Sequence, residues 1–109
     1  MIQIQEVTDI VCSALKVDST KLTQRNFPCQ DCIDARHLII HFAKKHTNLT
    51  YAEIALYFGR KLASGKGDHA AAIYSDNLVD QLVKVDKPFR EKYYLSKECF
   101  ENHSSIKID

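Results

Sequence analysis

Cys29 and Cys32, followed by His37 and His41, form the one group in this chain whose types and spacing suit a metal. Two thiolates and two imidazoles could complete a tetrahedral zinc site. Histidines four residues apart share one helix face, as helical metal sites require. Only four residues separate Cys32 from His37, however, against about 12 in a zinc finger. The group is therefore read as thiols and histidines without metal. Asp68 and His69 are neighbours in the chain, and neighbours in a first helical turn point apart, so they form no acid–base dyad. No signature of a Cys/His nucleophile pair is present, and no enzymatic activity is expected. Arg60, Lys61 and Lys66 fall between Gly59 and Gly67 with no acidic residue among them. Such a loop can bind phosphate, although charge runs are more often plain solvated surface.

Positioning these residues requires helices, and the chain is patterned for them. Ile4, Val7, Ile10, Val11, Ala14 and Leu15 recur at helical spacing. Val17-Asp18-Ser19 breaks that stripe, with Ser19 expected to cap a short turn holding Leu22. Thr23 to Gln30 is polar, contains Pro28, and is read as a loop. Asp31 is the expected N-cap of the next helix, which turns Ala35, Leu38, Ile39, Phe42 and Ala43 inward and ends near Asn48. Thr50-Tyr51-Ala52-Glu53 is a capping box; the short helix behind it presents Tyr51, Ile54, Ala55 and Phe58, and Gly59 ends it. Asp68 is the expected N-cap of a longer helix with Ala72, Ile73, Leu78, Val79 and Leu82 on its apolar side. Asp86-Lys87-Pro88 opens a last helix, since proline is tolerated in a first turn, with Phe89, Tyr93 and Phe100 packing back. Strand alternation is missing throughout. The expected fold is all-α, four to five helices, with residues 1–100 as one domain and 101–109 as a frayed tail.

Composition agrees with a packed domain. The chain has 109 residues, 45% apolar and 27% charged, with net charge +1, which excludes the disorder signature. No apolar run reaches the roughly 18 residues of a membrane span, and the N-terminus lacks a basic start followed by an apolar stretch. A soluble cytoplasmic protein without a membrane partner is expected. In that setting Cys12, Cys29, Cys32 and Cys99 are not expected to hold structural disulfides, and Cys12 lies in the first apolar stripe. The capped helix at 50–58 followed by the helix at 68–84 has the order of a helix-turn-helix, with a connection longer than usual.

Ala43-Lys44-Lys45-His46-Thr47-Asn48, then Glu53-Ile54, Phe58-Gly59 and Gly67-Asp68-His69 stand in a specific order and spacing. On them the chain resembles the C-terminal DNA-binding domain of the DnaA replication initiators, except for an insertion near Lys61 to Lys66. The similarity covers roughly residues 4–100. It implies a Trp-repressor-like helix-turn-helix and double-stranded DNA as partner. It implies base contacts from Asp68 and His69. Ala70 and Ala71 stand where the family has two DNA-contacting threonines; alanine keeps a methyl that can meet a thymine methyl but lacks the hydroxyl. Arg36 matches a family arginine close to the DNA backbone. The family's basic loop, which inserts an arginine into the minor groove, corresponds to Arg25 through Cys32, where Arg25 alone is basic. With Arg60, Lys61 and Lys66 these arginines form the expected phosphate-contacting set. The ATPase module of the initiators is missing, since no G-x-x-x-x-G-K-[ST] occurs, and no nucleotide or other cofactor is expected. Two functions follow from these residues: duplex DNA binding linked to replication initiation or its regulation, or a protein-interaction module that keeps the fold without binding DNA.

Overall fold

Helix α1 (Ile4–Leu15) buries Val7, Thr8, Val11 and Cys12, the inward face of the first apolar stripe. It stops at Lys16, whose backbone is left-handed at φ 57°. A single 3₁₀ turn follows at Ser19–Lys21, capped by Asp18 rather than the expected Ser19. The Asp18 carboxylate accepts both the backbone N–H and the hydroxyl of Thr20, at 3.0 and 2.8 Å, two bonds to one charged acceptor that a serine hydroxyl does not match. The computed structural model describes residues 2–22 and 29–108, with side chains as far as His103; the expected loop from Thr23 lies largely outside the described residues.

Helix α2 (Gln30–His46) is the central element and buries Cys32, Ala35, Leu38, Ile39, Ile40, Phe42 and Ala43. Its N-cap is Cys29, not Asp31: Cys29 has the extended backbone a cap needs and its sulfur accepts the Cys32 N–H. Asp31 instead lies within the first turn. Helix α3 (Tyr51–Tyr57) starts on the expected capping box, with both the Thr50 and Glu53 bonds in place. Helix α4 (His69–Val85) is capped by Asp68, which accepts from the Ala71 N–H at 3.2 Å. Helix α5 runs Lys87–Ile108. Among the described residues there are thus five α-helices and no strand. No described helix is long and apolar enough to cross a membrane.

The core lies where α2 meets α1, α4 and α5. Phe42 packs against Phe100 at 4.6 Å and Tyr93 at 5.6 Å between ring centroids. On α4 the buried positions are Ala72 and Val79; Ile73, assigned to the same apolar side from its sequence, is 36% exposed. Polar anchors fix how the helices cross. Asp76 of α4 is hydrogen-bonded to His41 Nδ1 of α2 at 2.7 Å and accepts from the Tyr51 hydroxyl of α3. That bond is the first cause of the Tyr51 phenol being pushed up to about 12, followed by burial. Arg90 of α5 donates to the Val83 and Lys84 carbonyls, closing the C-terminal end of α4 with a cation where the helix dipole favours one.

Asp34 is buried, with its carboxylate bonded to Lys92 Nζ at 2.6 Å and to the Gln30 amide at 3.0 Å. Lys92 also reaches Asp31 at 2.8 Å. Burial works against the Lys92 charge, but its bonds to Asp31 and Asp34 outweigh that and leave its pKa raised. Removing one partner of such a pair leaves a carboxylate without its counter-charge. Lys92→Met is therefore expected to lower stability by about 2 kcal/mol at neutral pH, less than for a fully buried pair because Lys92 is partly exposed. A raised lysine contributes stability below its ordinary value of 10.5 and loses it as pH climbs through the folded value. The gap between wild type and Lys92→Met in denaturant melts should thus close in strongly alkaline buffer; a gap that stays constant would mean that packing, not charge, joins α5 to α2.

Candidate nucleic-acid interface

Gly59 leaves α3 with φ +73°, a conformation that costs other residues about 1–2 kcal/mol. The chain then folds back on itself. Arg60 N–H bonds to the Ala55 carbonyl, Leu62 N–H to Lys66, and Asp68 N–H to Arg60, with an antiparallel bridge between Lys61 and Gly67. The long connection is therefore a small hairpin with its own hydrogen bonds. These bonds hold the ends of the connection together and let α3 and α4 pack against each other. Gly67 forms the base of the hairpin, buried against α3: a Cβ on it would lie 1.8 Å from the Ala52 carbonyl oxygen. Lys61, Leu62 and Lys66 are exposed on the hairpin.

At the start of α4, His69 and Ala70 are exposed, Asp68 and Ala71 are half-buried, and Ala72 is buried. Asp68 uses Oδ1 to cap the helix, a structural duty it carries whatever else it touches. His69 and Ile73 lie on one face, as do Ala70 and Tyr74, by their spacing of four. Tyr74, 66% exposed, extends the open face of α4 one residue beyond the Asp68–Ile73 segment expected to face DNA.

Arg36 of α2 and Arg60 and Lys61 of the hairpin, distant in sequence, line one polar recess of about 390 Å³ together with Asp68. The Arg36 guanidinium is held below its usual range, first by burial and then by the charge of Arg60, so the recess carries excess positive charge. Lys66 does not line this recess, and Arg25 lies outside the described residues. Next to it an open cavity of about 470 Å³ runs between α2, α3 and α4, lined among others by Ile33, His37, Ile40, Phe58 and Tyr74. Burial lowers the His37 pKa, opposed by Asp34 and reinforced by Arg36 and Arg60, which favours the neutral imidazole. Among the described residues, Arg36 Nε and His37 Nδ1 are buried without a hydrogen-bond partner. Of the sequence motif Cys29, Cys32, His37 and His41, the two cysteines meet at the start of α2, His37 faces the cavity, and His41 is bonded to Asp76. Among the described residues no group of three or more such side chains is placed to hold a metal ion. The cavity and the exposed Tyr74 escaped the sequence reading; the i, i+4 spacing of Ala70 and Tyr74 was the signal available for the second.

No family model matches the chain. Among curated proteins, it is 25% identical over 89 residues to the chromosomal replication initiator protein DnaA of Bacteroides fragilis (strain YCH46). The alignment takes in 82% of this chain and 17% of that protein, so the chain spans about a sixth of the relative it matches.

Proposed function

We propose that this chain binds double-stranded DNA through α3, the hairpin and α4, acting as a Trp-repressor-like helix-turn-helix related to a DNA-binding part of the DnaA initiators, in replication initiation or its regulation. One observation carries the reading: Arg36, Arg60 and Lys61 converge on a cation-rich recess at the N-terminal end of α4. Backbone N–H groups and the helix dipole there add to the attraction for phosphate. With the recess on phosphate, the first turns of α4 lie against a groove, and His69 and Ala70 face the bases. Ala70 and Tyr74 offer apolar surface for a thymine methyl, and His69 offers a hydrogen bond to a purine. Lys66, exposed on the hairpin, adds a further phosphate contact, and Arg25, outside the described residues, is carried in the same set on the resemblance alone.

A salt-titrated binding assay on random-sequence duplex and on the initiator's own box tests this. Arg60→Ala and Lys61→Ala are each expected to weaken all sequences alike and to lower the salt slope by about 1. His69→Ala should cost about 1–3 kcal/mol on the preferred site and little on random DNA. Duplex that fails to bind at low salt removes this reading. The exposed Ile33 and Tyr74, which line the open cavity, favour the second reading in that event, a protein-docking module on the same fold.

A further inference from the structure

Cys29 and Cys32 take no part in the proposed DNA contacts, yet the fold joins them closely. Cys29 is the N-cap of α2, and its sulfur accepts the Cys32 backbone N–H at 3.3 Å. The Cys32 side chain lies close enough to that sulfur to lower its pKa. Cys29 is half-buried and Cys32 is 2% exposed, so solvent reaches the first sulfur and not the second. Cap and third helical residue sit one turn apart, which a disulfide can span without unwinding the helix. The Cys29 sulfur, at the cap, is at the positive end of the α2 dipole, which favours a thiolate.

We propose that Cys29 and Cys32 form a redox-active dithiol that exchanges with low-molecular-weight disulfides, with Cys29 as the attacking thiol and Cys32 as the resolving one. The Cys29 sulfur, having lost its proton to solvent, attacks one sulfur of the small disulfide. The S–S bond breaks, one small thiolate leaves and takes up a proton, and a mixed disulfide remains on Cys29. The Cys32 sulfur then attacks Cys29 Sγ, its proton passing to the second departing small thiolate. The two cysteines are oxidised by two electrons and the small disulfide is reduced to two thiols; a dithiol reductant runs the sequence backwards.

The two thiols differ in the sense this order needs. The Cys32 side chain, then its backbone N–H, lowers the Cys29 pKa, with Asp31 opposing. Burial, then the Cys29 side chain, pushes Cys32 up to about 11, with Lys21 and Arg36 opposing. Cys12, buried and pushed up to about 11, and Cys99, half-buried, are the competitors to exclude.

The test uses the full chain without DNA, so its outcome is independent of the DNA reading. The native protein is incubated with glutathione disulfide, quenched in acid, alkylated and mapped by mass spectrometry. The expected product is a Cys29–Cys32 disulfide that a dithiol reductant reopens. Cys32→Ser should trap glutathione on Cys29, whereas Cys29→Ser should leave Cys32 unmodified; serine is a good N-cap, and helical melts of both variants confirm folding. Iodoacetamide at neutral pH should modify Cys29 at least about 10-fold faster than Cys12 or Cys32. A disulfide between Cys12 and Cys32, no adduct on folded Cys32→Ser, or equal alkylation rates would each overturn the proposal.

Discussion

Phe58→Ala is expected to lower the free energy of unfolding by about 3 kcal/mol or more, within the 3–5 kcal/mol usual for a buried phenylalanine. Phe58 ends α3 and is 6% exposed. Its ring meets Tyr57 edge-on at 5.1 Å and forms one wall of the cavity between α2, α3 and α4. Truncation would enlarge that cavity rather than open a sealed void, so solvent entry keeps the loss near the lower end of the range. Even so, it takes a large share of the roughly 5–15 kcal/mol that a small domain holds. Phe58→Leu should recover most of the loss, because volume-conserving apolar changes are tolerated best. Denaturant melts of the two variants check this; an unchanged midpoint for Phe58→Ala would show that the α3–α4 joint does not depend on this ring.

The second large effect is expected at Gly67. A Cβ there would meet the Ala52 oxygen at 1.8 Å, its carbonyl carbon at 2.6 Å and its Cα at 3.0 Å. All three are backbone atoms of α3, so no side chain can swing aside. Either the hairpin lifts off α3 or the helix distorts, and Gly67→Ala should cost about 3 kcal/mol, the upper end for overpacking. Gly59 and Gly65 are the informative controls. Each has a positive φ, +73° and +86°, and each has open space where a Cβ would go. Alanine there meets only the left-handed penalty of about 1–2 kcal/mol. The order of stability loss should therefore put Gly67→Ala first. A lifted hairpin would also move Arg60 and Lys61 away from Arg36, so in the DNA reading Gly67→Ala loses affinity beyond what Gly65→Ala loses. Equal effects at the three glycines would mean that the hairpin does not press on α3.

Local rules account for what could be read from the chain alone. Thr50 and Glu53 start α3, Asp68 starts α4, and Gly59 ends α3 in a left-handed turn, because each involves only groups within four residues of one another. The apolar stripes carrying Val7 and Val11, Leu38 and Phe42, and Ala72 and Val79 declare helices and an all-α core through periodicity. The cap of α2 falls on Cys29 because the helix already begins at Gln30, which puts Asp31 inside its first turn, where its carboxylate meets Lys92 of α5. Ile73 fits the helical pattern of buried residues, yet it is exposed because the crossing of α4 over α2 and α3 turns Ala72 and Val79 inward. The same crossing brings Arg36 to Arg60 and Lys61, gathers His41 and Tyr51 on Asp76, and opens the cavity beside them. Periodicity states which face of a helix is apolar; it does not state the angle at which two apolar faces meet. Side chains far apart in the chain converge only once that angle is set by close packing, and the cation-rich recess at the start of α4 is a product of that step.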